Sequence, residues 1–376
     1  MRILRNYILK ECILPFFLAL AVLSCVFLLG YTVKLAHLVI NKGVPLLVVG
    51  KMFLLLIPVL LQYTMPIACL IAVILAFSRL SADNEIIAIR ASGIHIQRLI
   101  VPLVAVGFIL SLMAFLLNDK VVPFAHHQQK LLEKTIGFEN PTALLEPGTF
   151  IKAFKGQTIF IHRVEGNKFY NITIWQPQPD GRPTRTIIAN RGEFTKSPDG
   201  KQLILKLIDG VSDEIDPKNS ENFYKLNFKT LFITLNVSAG QEKIEKKPKS
   251  MSLKELIEER HAQEQLLVDT SRLETEYFRK LSWSFAPLIF VTLGFPLAVI
   301  TNRRERSANV ILAIVAASTY YLLALTCEAL SIEQKAPAYL IMWTPNLIGL
   351  IAAIYFNHKL CKIFMHGQGY RHRFAG

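Results

Sequence analysis

Six mostly apolar stretches of about twenty residues or more dominate this chain, near 12–38, 51–78, 99–118, 281–301, 308–330 and 339–358. An α-helix needs about 20 such residues to cross the hydrocarbon core of a bilayer. Prolines fall inside these stretches, at Pro58, Pro66, Pro287 and Pro296. A spanning helix tolerates them because neighbouring helices can satisfy the freed backbone groups. With 52% of 376 residues hydrophobic, membrane spans come before a soluble core as the explanation. The first stretch follows Arg2, Arg5 and Lys10 and so mimics a secretory leader. It is too long for a cleaved apolar segment, and no small-residue cleavage motif follows, so it reads as an uncleaved first span.

The formal charge of +14 is not spread evenly. Arg2, Arg5 and Lys10 precede the first span, and Arg79, Arg90 and Arg98 lie between the second and third. Arg303, Arg304 and Arg306 lie between the fourth and fifth, and Lys359, Lys362, Arg371 and Arg373 follow the sixth. The alternate loops hold only Lys42 and Lys335. With six spans, every basic loop falls on one side, and that side is the cytoplasm. The charge is accounted for by orientation and anionic lipid, with no need of nucleic acid.

The segment from about 119 to 280 then lies outside the cytoplasm. Its centre carries short runs rich in β-branched and aromatic residues: "TFIKAF", "TIFIHRV", "FYNITIW", "TRTIIA", "QLILKLI" and "LFITLNV". Turn signals separate them at Glu165-Gly166-Asn167, 179–181, 198–200 and Asp209-Gly210. Such spacing predicts an antiparallel sandwich or a partly open barrel. A basic linker, "GQEKIEKKPKS", ends the insert. Ser252 and Glu255 then form a capping box, and a polar helix runs toward Arg279 and the fourth span. Three spans stand on each side of the insert.

Several chemistries are missing from the sequence. There is no phosphate-binding G-x-x-x-x-G-K-[ST] loop, no H-E-x-x-H, no C-x-x-C pair and no G-x-S-x-G elbow. The five cysteines lie in or beside apolar runs, and none falls between Asp119 and Leu281, so the insert has no disulfide framework. No catalytic residue, metal ligand or cofactor site is expected on this chain.

Two features remain. In "LSADNEIIAIRASGIHIQRL" (80–99), Ser81 or Asp83 can cap a helix whose first turn holds Asp83 and Glu85. Arg90 falls in its last turn, and Gly93 is placed to end it. Ile86, Ile87 and Ile89 can press on lipid or on neighbouring helices. The result is a helix of about ten residues at the cytoplasmic face, either an interfacial linker or a docking site for a partner. The second feature is a set of ionisable groups near the outer ends of spans: Lys34 and His37 in the first, Glu328 in the fifth. Such groups are costly in lipid. They either snorkel to the interface or rim a cavity that meets a charged headgroup.

The order of three spans, a β-rich insert and three spans resembles the LptF/LptG (YjgP/YjgQ) permease family. So do the segments "LSADNEIIAIRASGIHIQRL", "YFRKLSWSFAPLIFVTLGFPLAVITNRRERS" and "MWTPNLIGLI". The resemblance implies a membrane α-helical fold of six transmembrane helices (3+3) with an inserted periplasmic antiparallel β domain, jellyroll-like. It divides the chain into 1–118, with a coupling helix at about 80–93; the β domain at 119–250; a connecting helix at 251–280; and 281–376, with a cytoplasmic tail.

The family likeness also implies a role. Such a chain is the permease subunit of an ABC-type transporter that extracts lipopolysaccharide from the inner membrane and passes it to a periplasmic bridge. ATP is hydrolysed on a separate cytoplasmic ATPase dimer, LptB-like. A second LptF/LptG-type subunit and a single-span membrane partner, LptC-like, complete the assembly. On the same likeness Asp83, Glu85, Ile86 and Arg90 contact the ATPase, with Glu85 central, because the family's "E-[hydrophobic]-x-A" core falls on Glu85 to Ala88. Lys34, His37 and Glu328 are the candidate lipid-binding residues, Lys34 matching a basic position that contacts lipid phosphate in LptG. The short N-terminus "MRILRNYILKE" is more like LptF. A permease of the same build for another lipid, or a membrane-anchored periplasmic scaffold without transport, are the rival readings. A scaffold needs neither a coupling helix nor ionisable groups in its spans.

Overall fold

The computed structural model describes residues 2–40, 44–94, 97–139, 148–151, 157–165, 168–177, 184–196, 203–215, 223–235, 246–301 and 306–366. The chain forms two units: Met1–Tyr31 with Leu55–His127 and Lys246–Gly376, and Thr32–Leu54 with Gln128–Glu245.

The first unit is helical. Its elements come from α1 (Arg2–Ile40), α2 (Leu46–Ala82), α3 (Glu85–Ala91) and α4 (Gln97–Leu116). A single π-helical turn, Leu117–Val121, leads from α4 directly into α5 (Val122–Glu139). After the insert come α6 (Leu253–Gln265), α7 (Ser271–Ser284), α8 (Ala286–Thr301), α9 (Arg306–Ile332), the one-turn α10 (Ala338–Ile341) and α11 (Thr344–His366). Five helices are long and apolar enough to cross a membrane, and six spans result when the bent pair α7–α8 counts as one. The apolar-run count of six and the inserted antiparallel sheet are therefore both present.

The fourth span is bent by 41°. Pro287 sits in the first turn of α8, where its ring blocks continuation of the preceding helix and its nitrogen has no proton to give. The next amide, Leu288 N–H, donates to Ser111 Oγ of α4 at 3.1 Å. A neighbouring helix thus supplies the partner that the backbone needs in an apolar setting.

Helix α2 lies at the centre of this unit. It is apolar all round, and 78% of its spanning window is buried, against 6% for α1. Phe77 of α2 and Phe295 of α8 are fully buried and meet edge to face at 4.8 Å. Such pairs add about 0.5–1.5 kcal/mol beyond area burial. Polar side chains sew α7 to its neighbours. Thr275 Oγ1 lies 2.7 Å from Ser331 Oγ, and Asn346 Nδ2 donates to the Ser282 carbonyl at 2.7 Å. Tyr320 donates to Asn346 Oδ1 at 2.7 Å.

The connecting segment is two helices, not one. Ser252 caps α6 with the reciprocal Glu255 box read from the sequence. The helix then stops at Gln265, and α7 begins at Ser271. Leu267, with φ +54, lies in the break, a conformation that no helix interior holds.

The second unit carries a six-stranded sheet: β1 (Phe150–Ile151), β2 (Thr158–Glu165), β3 (Lys168–Gln176), β4 (Arg185–Lys196), β5 (Leu203–Ile215) and β6 (Phe223–Leu235). The order is β1-β2-β3-β4-β5-β6, each strand antiparallel to its neighbours. Each of the six expected runs supplies one strand. Among the described strands the sheet is a meander without the crossovers of a jelly roll. Alternation buries one face: Ile161 pairs with Ile172 and Ile172 with Ala189; Ile159 pairs with Ile174 and Ile174 with Ile187. Of the expected turn Glu165-Gly166-Asn167, Glu165 ends β2; its other two residues, the turns expected at 179–181 and 198–200, and the last three residues of "TFIKAF" lie outside the described residues. Before the first described strand the chain stays helical through Glu139, past the point where the third span was expected to end.

Asp209-Gly210 was expected to be a turn and is instead inside β5. Asp209 adopts φ +53 without shifting register, since Ile208 pairs with Arg191 and Gly210 with Ala189. Asn171 of β3 does the same at φ +53. Asp and Asn are the non-glycine residues that visit this region most readily, so the same letters that mark turns here mark kinks within strands. At Gly210 a Cβ would sit 2.4 Å from both the Ile188 carbonyl oxygen and the Phe228 ring, so only glycine fits.

Candidate functional site

The corner between α2 and α4 is built from short-range signals. Helix α2 runs through Ala82, so Ser81 lies within it and not at the start of the next helix. Asp83 N–H still donates to Arg79 C=O at 2.9 Å, and Asn84 then turns the chain with φ +58. The Asn84 carbonyl accepts from Ile87 and Ala88, both at 3.1 Å, and so opens α3. The helix is seven residues long, shorter than expected, and Gly93 at φ +80 follows it as the sequence foretold.

Ile86 anchors this helix. It is 2% exposed and belongs to the main core of the unit, with Ile89 packed against it. Ile87 points the other way and is exposed. A helix this short has little intrinsic stability, so packing and side-chain contacts hold it.

Those contacts come from α1. The Tyr7 hydroxyl lies 3.1 and 2.9 Å from the two Glu85 carboxylate oxygens, to which it donates. One turn on, Glu11 accepts from Arg79 at 2.7 Å, and Arg79 also reaches Asp83 at 3.7 Å. Tyr7 and Glu11 stand four residues apart and share a face. The Arg79 pairs are exposed and contribute about 0–1 kcal/mol each. Asp83 is exposed, Glu85 half-buried. Sequence reading singled out Glu85 but missed Tyr7, because a contact across 78 positions leaves no local mark.

The other expected residues are placed as follows. Arg90 lies on α3, and Lys34 and His37 on α1; all three side chains lie outside the described residues. Lys34 and His37 belong to the second unit and Glu328 to the first. Glu328 is half-buried on α9 and contributes to the electric field at the Arg279 guanidinium.

A buried pair that sequence reading missed lies on α7. Arg279 contacts Glu276 at 2.6 and 3.1 Å, with side chains 6% and 5% exposed. The guanidinium lies 5.1 Å from the centre of the Trp283 ring. The spacing of Glu276, Arg279 and Trp283 puts all three on one helix face, and that is the signal that could have found them.

The family description "Lipopolysaccharide export system permease LptF/LptG" matches residues 6–359. This chain belongs to that family. The lipopolysaccharide export system permease protein LptF of Escherichia coli K12 is 22% identical over 363 residues, 94% of each chain. The Shigella flexneri LptF gives the same figures. An uncharacterized protein of Rickettsia prowazekii is 27% identical over 238 residues, 62% of this chain and 64% of that relative. The LptF/LptG match runs through α3 and through α7–α8, the two segments described above. In this LptF/LptG chain the corner helix is therefore part of the family's shared length.

Proposed function

We propose that this chain is a transmembrane subunit of an ABC-type exporter in the bacterial inner membrane. It draws lipopolysaccharide out of that membrane and passes it to a periplasmic bridge. The termini and α3 face the cytoplasm, and the sheet lies in the periplasm, as the placement of basic loops directs. A cytoplasmic ATPase dimer docks on α3, a second LptF/LptG-type subunit completes the cavity, and a single-span partner joins at its side. This chain carries no chemistry of its own; ATP is hydrolysed on the partner.

One observation carries the reading. A seven-residue helix between two spans has its inner face locked into the core by Ile86, and its acidic residue is held in a fixed direction by Tyr7. Such a part transmits force: a push on α3 moves the spans that Ile86 packs against. Asp83, Glu85, Ile86 and Arg90 form the coupling surface. Lys34 attracts the phosphates of the lipid as a compact cation on a flexible stem; His37 and Glu328 are the other two candidate lipid contacts.

The test is gentle purification of the full chain with its natural partners, followed by mass spectrometry of proteins and lipid. An ATPase with lipopolysaccharide is the expected result. An ATPase with a different lipid transfers the reading to another cargo, and neither ATPase nor lipid removes transport from it.

A further inference from the structure

The first turns of α1 and α4 enclose a cavity of about 310 Å³. Its lining is ordered along the helices. Arg2, Arg5 and Arg98 stand at the end where both helices begin, while Ile8, Pro102 and Ala105 lie farther in. Of the lining residues, Ile8 and Leu99 are the buried ones, 1% and 2% exposed. Among the described residues no acidic one lines the cavity, and none of the three guanidiniums has an ion-pair or hydrogen-bond partner. From Arg98 to Ala105 the helix rises about 10 Å, at ~1.5 Å per residue.

The neighbouring acids are engaged elsewhere. Glu11 is held by Arg79, and Glu85 by Tyr7. Three uncompensated guanidiniums above an apolar slot suit one kind of molecule, with a phosphate at one end and hydrocarbon at the other. Arginine's fork grips phosphate oxygens in pairs. Basic pockets between spans at the cytoplasmic face suit anionic lipid headgroups. A soluble phosphate would use the arginines but leave the apolar half to water. A partner protein would have to bring an anionic group to the arginines and an apolar one to Pro102 and Ala105 at once.

We propose that this cavity binds an anionic phospholipid of the cytoplasmic leaflet, with its phosphate on Arg2, Arg5 and Arg98 and its acyl chain along Pro102 and Ala105. The site is separate from the cargo residues Lys34, His37 and Glu328. It rests on the orientation given above, with the N-terminus in the cytoplasm.

The test uses the full chain purified in mild detergent and stripped of lipid. Binding of phosphatidylglycerol, phosphatidylethanolamine and inorganic phosphate is read by native mass spectrometry. Phosphatidylglycerol should bind in preference to the zwitterionic lipid and resist competition by inorganic phosphate. Each of Arg2→Ala, Arg5→Ala and Arg98→Ala should weaken it by about fivefold, at ~1 kcal/mol per arginine. Ala105→Phe fills the apolar half, leaves every charge in place and should also weaken retention. Equal binding of both lipids, displacement by inorganic phosphate, or retention unchanged in Arg98→Ala and Ala105→Phe would each overturn the proposal. So would loss of a co-purifying ATPase in Arg98→Ala with lipid retention unchanged, since the cavity would then be a protein-docking surface. Lipopolysaccharide binding is read separately, so failure here leaves the export reading standing and the reverse also holds.

Discussion

Tyr7 and Glu85 are 78 positions apart, yet the phenol donates to a carboxylate whose two oxygens lie 3.1 and 2.9 Å away. The contact ties the first turns of α1 to a helix too short to stand alone. Hydrogen bonds to charged groups contribute about 1.5–3 kcal/mol. Tyr7→Phe should therefore speed amide exchange across 85–91 while leaving membrane insertion intact. Exchange at the wild-type rate would mean that the bond holds nothing. Glu85→Arg should leave the chain inserted and abolish co-purification of an ATPase; normal co-purification and export would end the docking reading.

The Glu276–Arg279 pair is buried, and breaking such a pair by removing one partner costs about 3–5 kcal/mol. Arg279→Met should lower the denaturation midpoint of the purified protein sharply. The double variant Glu276→Leu/Arg279→Met should recover much of the loss, because it leaves no unpaired charge. A double variant as unstable as the single would show that the guanidinium's packing on Trp283, and not its charge pairing, holds α7.

Within the sheet, Asp209 sits at φ +53 and Gly210 has no room for a side chain. Asp209→Val should destabilise by about 1–3 kcal/mol, the cost of holding a non-glycine residue in a sparsely populated conformation. Asp209→Gly should be close to neutral. Circular dichroism melting of the full chain separates these outcomes, and equal melting of the two variants would refute the strain argument.

The α6 capping box gives a pH dependence of known sign. Burial pushes the Glu255 carboxyl up, but bonds from Lys246 and from the Ser252 amide outweigh it and hold the group below the ordinary 4.5. A depressed carboxyl stabilises the folded state above that ordinary value, and the stability is lost as pH falls through the folded value. Protection of the amides at 253–256, corrected for intrinsic exchange, should fall as acid is added below about pH 4.5. In Glu255→Gln it should be lower throughout and insensitive to acid in that window.

If Lys34 meets lipid phosphate as proposed, Lys34→Glu should weaken crosslinking of lipopolysaccharide to a photoreactive residue introduced beside it, by reversing the charge. Crosslinking at wild-type yield would remove Lys34 from the lipid path.

Much of the fold could be read along the chain because the membrane fixes length and the sheet fixes alternation. Six apolar runs account for the spans, and six β-rich runs for the strands. Misreadings came where one signal serves two structures. Asp209-Gly210 looks like a turn because its residues accept positive φ, and the sheet uses that same tolerance in mid-strand. Ser81 looked like a cap, but α2 does not stop until Ala82, and Asn84 makes the corner. Of the candidate site, a short helix with Glu85 in its first turn was legible from capping and charge order, and the family likeness singled out Glu85 within it. Tyr7 and the arginine cavity were not, since each depends on which helices meet; Glu276 and Arg279 were overlooked although their spacing on one helix face was there to be read.

Ser111 and Leu288 belong to different spans, yet one hydroxyl completes the backbone of the other's bend. Sliding α4 past α8 would strand an amide in a medium that offers no water in exchange. The two helices are thereby latched into a stator. Whatever else in the helical unit shifts, α4 and α8 shift together.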